Sequence, residues 1–281
     1  MNIGIRLHDT LPGTLRERLT YARDQGFTCA HIAMSKAVAG FDMADAPRLL
    51  TPALADSVRE DLEATDMECA VLGCYLNLAD PDPERRAATQ EIYRAHLRFS
   101  TLIGARVVGT ETYARPETVF SEPAPRSEEA FRLFMDGLKP VVRFAEEIGA
   151  VLAVEPVHSH IVSTPERAER MLEELPSDNL QIILDAVNLI GPGHDREADR
   201  IIADAVRRLG DRVRVLHMKD FTVAADGGIR SRACGTGVMR YERLLALAAE
   251  RGLPMTLEDT VPANAEAARL HLVNIAASLE K

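Results

Sequence analysis

The sequence predicts an α/β fold, a single (β/α)8 TIM barrel formed by the whole chain, residues 1–281. Three observations predict it. Short apolar runs alternate with longer amphipathic segments eight times without a break in composition, which favours a parallel sheet covered by helices. The count of eight favours closure over an open doubly wound sheet, and no Gly-x-Gly-x-x-Gly turn follows the first run. A chain of 281 residues is also the usual size of one such barrel.

The elements follow in order. The first strand is expected at Ile3 to Leu7, followed by a helix from Thr14 to Gln25 stopped by Gly26. Cys29 to Ala33 is the second strand, and Pro52 to Thr65 is helical after a loop containing Gly40. Cys69 to Tyr75 is the third strand, and the helix from Pro83 to Ile103 opens on Pro-Glu and closes at Gly104. Arg106 to Thr110 is the fourth strand, and Ser127 to Ile148 is the helix closed by Gly149. Val151 to Glu155 is the fifth strand, and Ser163-Thr164-Pro165-Glu166 reads as a cap and proline opening a helix to Leu175. Leu180 to Asp185, Val213 to His217 and Met255 to Glu258 are the last three strands. Their helices are expected near Asp199 to Leu209, Tyr241 to Arg251 and Pro262 to Leu279. Tyr113 to Pro125 and Phe221 to Gly237 are read as long loops over the catalytic face, because both follow strands.

Composition narrows the function. Hydrophobic residues make up 46% of the chain, enough for a large core, so disorder is not expected. The net charge of −10 opposes nucleic acid as a partner, because phosphate binding needs a basic face. The four cysteines (Cys29, Cys69, Cys74 and Cys234) form no C-x-x-C pair or disulfide framework and read as small buried hydrophobes or, for Cys234, a small loop residue. With no signal peptide and no bilayer-spanning apolar run, a soluble cytoplasmic protein without membrane contact is the expectation. A homo-oligomer is compatible with all of this.

Four strand endings carry the chemistry. VLAVEP ends on Glu155, LQIILD on Asp185, VRVLH on His217 and MTLE on Glu258. Any one of these could be a chance cap or loop residue. The four lie 30, 32 and 41 residues apart, one βα unit each, and strand C-termini converge on one barrel mouth. Three carboxylates and one imidazole make a mostly hard ligand set. It suits Mn²⁺ foremost, with Mg²⁺, Co²⁺ or Fe²⁺ as alternatives, and fits structural zinc poorly. Four protein ligands leave two positions on a six-coordinate ion, which two adjacent oxygens of a hydroxy-ketone would fill.

On VEP at Glu155, ILDAVN at Asp185, HMKD at His217 and LED at Glu258, the chain resembles the xylose-isomerase-like TIM barrels. That superfamily holds sugar isomerases and epimerases, inosose dehydratases and an apurinic endonuclease branch. The resemblance covers nearly the whole chain. It implies that Glu155, Asp185, His217 and Glu258 are the metal ligands and that the two glutamates are also the acid–base pair. The expected reaction is proton abstraction next to a carbonyl through a metal-stabilised enediolate, a step shared by isomerisation, epimerisation and loss of water. The chain departs from the keto-hexose epimerases, which carry His where Asn188 stands and Arg where Val223 stands. His217-x-Lys219-Asp220 instead resembles the inosose dehydratase branch, where the lysine reaches substrate. The endonuclease branch would need additional histidine ligands.

Further candidates surround these residues. Lys219 and His158, in EPVHSH, are candidate catalytic groups, with His160 a weaker one. Arg6, His8, Glu111 and Asn188 are candidate substrate contacts, each also readable as an ordinary loop residue. ACGTG, around Cys234, is a weak candidate for phosphate binding. The leading expectation is a metal-dependent isomerase or epimerase acting on a small sugar or polyol. A lyase or dehydratase acting on an inosose or 3-keto-glycoside at the same site is the alternative. A non-catalytic sugar-binding barrel is a third reading, which the complete ligand quartet opposes.

Overall fold

The computed structural model describes residues 1–112 and 125–279. Eight parallel strands close into a barrel in the order β1-β10-β7-β6-β5-β4-β3-β2. These are β1 (Ile3–Arg6), β2 (Cys29–Ile32), β3 (Glu68–Gly73), β4 (Val107–Glu111), β5 (Leu152–Glu155), β6 (Leu180–Asp185), β7 (Val213–Met218) and β10 (Met255–Leu257). The larger helices cover them: α1 (Leu15–Asp24), α4 (Pro52–Thr65), α5 (Pro83–Ile103), α6 (Glu128–Ile148), α7 (Pro165–Glu174), α8 (Ala198–Leu209), α9 (Glu242–Arg251) and α10 (Ala265–Leu279). Two short helices, α2 (Met34–Ala37) and α3 (Ala46–Leu49), lie in the connection after β2.

The caps follow the sequence signals. Thr14 and Glu17 form a reciprocal capping box at α1, and the side chains of Ser127 and Thr164 accept from Ala130 and Arg167 to open α6 and α7. Gly104 and Gly149 end α5 and α6 in the left-handed conformation.

One expectation is corrected. The stretch from Phe221 to Gly237 is not a plain loop, because it carries most of an antiparallel hairpin, β8 (Asp220–Val223) with β9 (Ile229–Arg232). Asp226-Gly227-Gly228 makes the turn, with Gly227 at φ +78. The segment expected as a loop from Tyr113 lies outside the described residues, apart from Pro125.

Strand alternation sets the height of the site. Side chains two apart on a strand share a face. Cys29, Val71, Val107, Ala153, Ile183 and Val215 belong to one apolar cluster, separate from the large core between sheet and helices. This cluster fills the barrel interior. Two residues farther along β5, β6 and β7, the same inward face presents Glu155, Asp185 and His217. The polar layer therefore rests on a dry floor.

Candidate metal and substrate site

Register places the polar residues side by side. Glu111 pairs with Glu155 across β4 and β5, Asp185 with His217 across β6 and β7, and Arg6 with His31 across β1 and β2. Glu258, just past β10, donates its backbone N–H to the Met218 carbonyl and so stands beside β7.

His217 is the centre of the cluster. Its Nδ1 lies 3.0 Å from Glu155 Oε2 and 3.3 Å from Glu258 Oε1. Glu155, Asp185 and His217 form one group of buried ligand atoms within 4.8 Å of one another, and His31, His217 and Glu258 form a second. Lys219 Nζ bridges Asp185 Oδ2 at 3.0 Å and Glu258 Oε2 at 2.9 Å, and the residue is buried. Asn188 Nδ2 donates to Glu155 Oε1 at 2.6 Å, so this side chain orients a carboxylate. Arg6 is likewise committed to protein carboxylates: Glu258 at 3.2 Å, Asp9 at 3.1 Å and Asp259 at 3.1 Å.

Burial and excess negative charge shift these groups. Burial, followed by the Glu258 charge, pushes Glu155 up to about 8. Burial and Glu155 push Glu111 to about 8, and burial lifts Asp185 to about 6. Glu258 goes the other way. Burial opposes its charge, but His217, Lys219, His31 and Arg6 outweigh that and hold it well below the usual carboxylate range. Burial also works against the Lys219 ammonium, yet Asp185, Glu258 and Glu155 keep it firmly charged. His217 and His31 are both driven toward the neutral form, chiefly by burial.

The donor set fits a divalent cation. Both His217 ring nitrogens, His31 Nδ1 and Asp185 Oδ2 are buried without a hydrogen bond of sound geometry among the described residues, although Asp185 Oδ2 faces the Lys219 ammonium. Leaving such groups unpaired is costly, and a shared cation would satisfy nitrogen and oxygen together. Among the described residues, Glu155, Asp185, Glu258 and Glu111 share the charges of Lys219 and Arg6, so these carboxylates outnumber the cations facing them.

A cavity of about 470 Å³ opens over the cluster, lined in part by Arg6, His8, His31, Tyr75, Glu111, Lys219 and Glu258. His8 is held down to about 4 by burial and by Arg6. His160 Nδ1 lies 3.6 Å from Glu111 Oε2. His158 does not join this group. Its ring faces His194 and the Arg126 guanidinium, beside a separate cavity of about 320 Å³. The ACGTG amides are occupied too. Gly235 and Gly237 both donate to Asp220 Oδ2, at 3.0 and 2.9 Å, so the anion seated there is the protein's own carboxylate. A Cβ on Gly237 would lie 2.1 Å from the Phe221 carbonyl oxygen, so the turn needs glycine.

Two residues escape the sequence reading. His31 stacks on His217 with ring centroids 5.2 Å apart, and the Tyr75 hydroxyl lies 3.3 Å from His31 Nε2. A Cβ on Gly73 would lie 2.9 Å from that nitrogen, so glycine makes room for the pair. The available signal was period two: His31 stands two residues after Cys29, on its inward face.

Comparison with known proteins now bears on this site. Residues 19–274 match the sequence profile of the xylose isomerase-like TIM barrel. The chain belongs to that family. It is 25% identical over 151 residues to an inosose dehydratase of Geobacillus thermodenitrificans, a match that spans 50% of this chain and about half of that relative, 48%. It is 25% identical over 227 residues to L-ribulose-5-phosphate 3-epimerase UlaE of Shigella flexneri, covering 81% of this chain and 75% of that one. The fold is shared with a crystal structure of an IolI protein with a bound zinc atom, at TM-score 0.73 and 17% identity over 99% of both chains. No helix among the described residues is long and apolar enough to cross a membrane.

Proposed function

We propose that this protein is a divalent-metal-dependent isomerase or epimerase of a small keto-sugar or related polyol. The observation that carries the reading is the pair of buried carboxylates, Glu155 and Glu258, each within 3.3 Å of the same His217 nitrogen beneath an open cavity. Glu155, Asp185, His217 and Glu258 would hold the cation, Mn²⁺ by the hardness of the set, with Mg²⁺ or Co²⁺ as substitutes. Bound there, it supplies Lewis-acid polarisation of the substrate carbonyl and lowers the cost of the negative charge that develops on deprotonation.

The protein's own groups do the rest. One carboxylate of the pair takes the proton from the carbon beside the carbonyl, and the other returns a proton to the opposite face. Asn188 holds Glu155 and Arg6 holds Glu258, so each base is oriented before substrate arrives. The dry floor below the cluster limits water access from beneath.

Lys219 favours a second reading. Its ammonium lines the cavity beside Glu258 and would assist departure of a hydroxyl, which would make the protein a dehydratase of an inosose or keto-glycoside. The similarity to an inosose dehydratase supports this alternative. Incubating Mn²⁺-loaded protein with keto-sugars and inososes in D₂O, followed by NMR, tests both. Deuterium at one carbon beside the carbonyl with inverted configuration is the expected result. Deuterium with loss of water moves the reaction to the dehydratase. Binding with neither exchange nor turnover across the panel would leave a sugar-binding barrel.

A further inference from the structure

Glu258 is tied to the β8–β9 hairpin by a chain of three side chains. Arg6 Nη1 donates to Glu258 Oε2 at 3.2 Å, and its Nη2 donates to Asp259 Oδ1 at 3.1 Å. The other oxygen of Asp259 accepts from the Ser231 hydroxyl, which stands on β9. Asp9 braces the far edge of the guanidinium, receiving Arg6 Nε at 3.1 and 3.2 Å. Arginine's planar fork transmits direction along such a chain, because fixing two edges fixes the third.

The backbone of Asp259 is an independent sign. It sits at φ +55, in the left-handed region, one of two non-glycine residues there among the described residues. Aspartate tolerates that conformation better than most side chains, but glycine would carry no strain. A carboxylate kept at this position, directly after a site carboxylate and aimed at its arginine partner, points to a role for the side chain.

We infer that Asp259 is a positioning residue: through Arg6 it orients the carboxylate of Glu258, and through Ser231 it couples that orientation to the hairpin beside the site. The inference rests on the reading of Glu258 as metal ligand and base. With Oε2 taken by Arg6 and Lys219, Oε1 is left facing His217 and His31. Releasing Arg6 from Asp259 leaves its guanidinium braced by Asp9 alone, so its hold on Glu258 Oε2 loosens and the aim of Oε1 shifts while the rest of the cavity remains.

Asp259→Gly tests this cleanly, because glycine suits the φ while the carboxylate is removed. Metal-stripped wild type, Asp259→Gly, Asp259→Asn and Ser231→Ala are titrated with Co²⁺ and followed by visible absorption. Turnover is then measured on whichever substrate shows solvent exchange. Asp259→Gly is expected to bind Co²⁺ with a changed absorption band. Its kcat should fall about tenfold or more with KM little altered, the scale of a misplaced catalytic group. Asp259→Asn retains an acceptor for Arg6 and should recover most of both signals, while Ser231→Ala should show a smaller change of the same kind. A Co²⁺ spectrum and kcat equal to wild type in Asp259→Gly overturn the positioning role alone. Failure of wild-type protein to take up Co²⁺ overturns the metal reading, and this role with it.

Discussion

At the scale of single residues, the site is a balance of buried charge in which each polar group has a separable task. Glu155→Gln and Glu258→Gln keep one oxygen for coordination and remove the base. Each should retain part of its Mn²⁺, measured by elemental analysis, and lose about 10²-fold or more in turnover, the usual scale of general acid–base catalysis. The mutant that keeps the abstracting carboxylate should still wash deuterium into substrate; the other should not. Near-normal turnover in both would reduce these residues to ligands. Lys219 makes a different prediction. Removing its ammonium takes away the cation that Asp185 and Glu258 share and leaves Glu258 with Arg6 alone. In metal-free protein, Lys219→Met should cost about 3 kcal/mol or more, as expected for breaking a buried ion pair, and added Mn²⁺ should recover part of it. Equal urea midpoints for mutant and wild type without metal would refute that balance.

At the scale of elements, the hairpin after β7 and the helix α5 show how packing sets stability and its pH response. Asp220 accepts backbone N–H bonds from Phe221, Gly235, Gly237 and Met239, so one carboxylate closes the base of the hairpin next to Lys219. Asp220→Ala strands several of these donors. The expected loss is about 3 kcal/mol or more, read from urea denaturation, with reduced turnover at unchanged cavity residues. His96 lies fully buried on α5, its Nδ1 bonded to the Ile92 carbonyl at 2.9 Å, and burial holds it down to about 4 from 6.5. Above pH 6.5 the ring is neutral in both folded and unfolded chains and adds no pH dependence. Between 6.5 and about 4 the unfolded chain takes up a proton that the folded one refuses, so stability falls as pH falls. The full loss is roughly 3 kcal/mol, at about 1.4 kcal/mol per pH unit. His96→Met should therefore show a shallower acid limb than wild type, and identical limbs would show that the ring is protonated without cost.

At the scale of the whole molecule, the four proposed ligands stand at the ends of four neighbouring strands, so a cation held there would tie β5, β6, β7 and β10 together. Binding to the native state alone stabilises it by mass action, about 2.7 kcal/mol at a hundredfold excess over Kd. In a chain of this length that corresponds to several degrees of Tm, at about 2–4 °C per kcal/mol. Chelation should lower Tm by that amount and abolish turnover, and Asp185→Ala should show no Mn²⁺-dependent rise. A Tm indifferent to both chelator and Mn²⁺ would count against a metal held by these strands.

The sequence by itself determined the order of the eight strand–helix units, several of their caps and the convergence of Glu155, Asp185, His217 and Glu258, but not the β8–β9 hairpin. Those features are local: period two along a strand, a glycine after a helix, an apolar run ending on a polar residue. Closure of the barrel decided what local pattern could not. His31 lies inside β2 rather than at its end, and the register shift between Ala30 and His31 in the β2–β3 pairing is visible only once the strands are paired. His158 follows β5 as closely as a catalytic residue would, yet the turn after Glu155 swings its ring toward His194. Asn188 and Arg6 read as substrate contacts or loop residues because their partners lie 33 and 252 positions away. A side chain's partner across such distances is set by which strand ends share a layer, and only the folded barrel defines that layer.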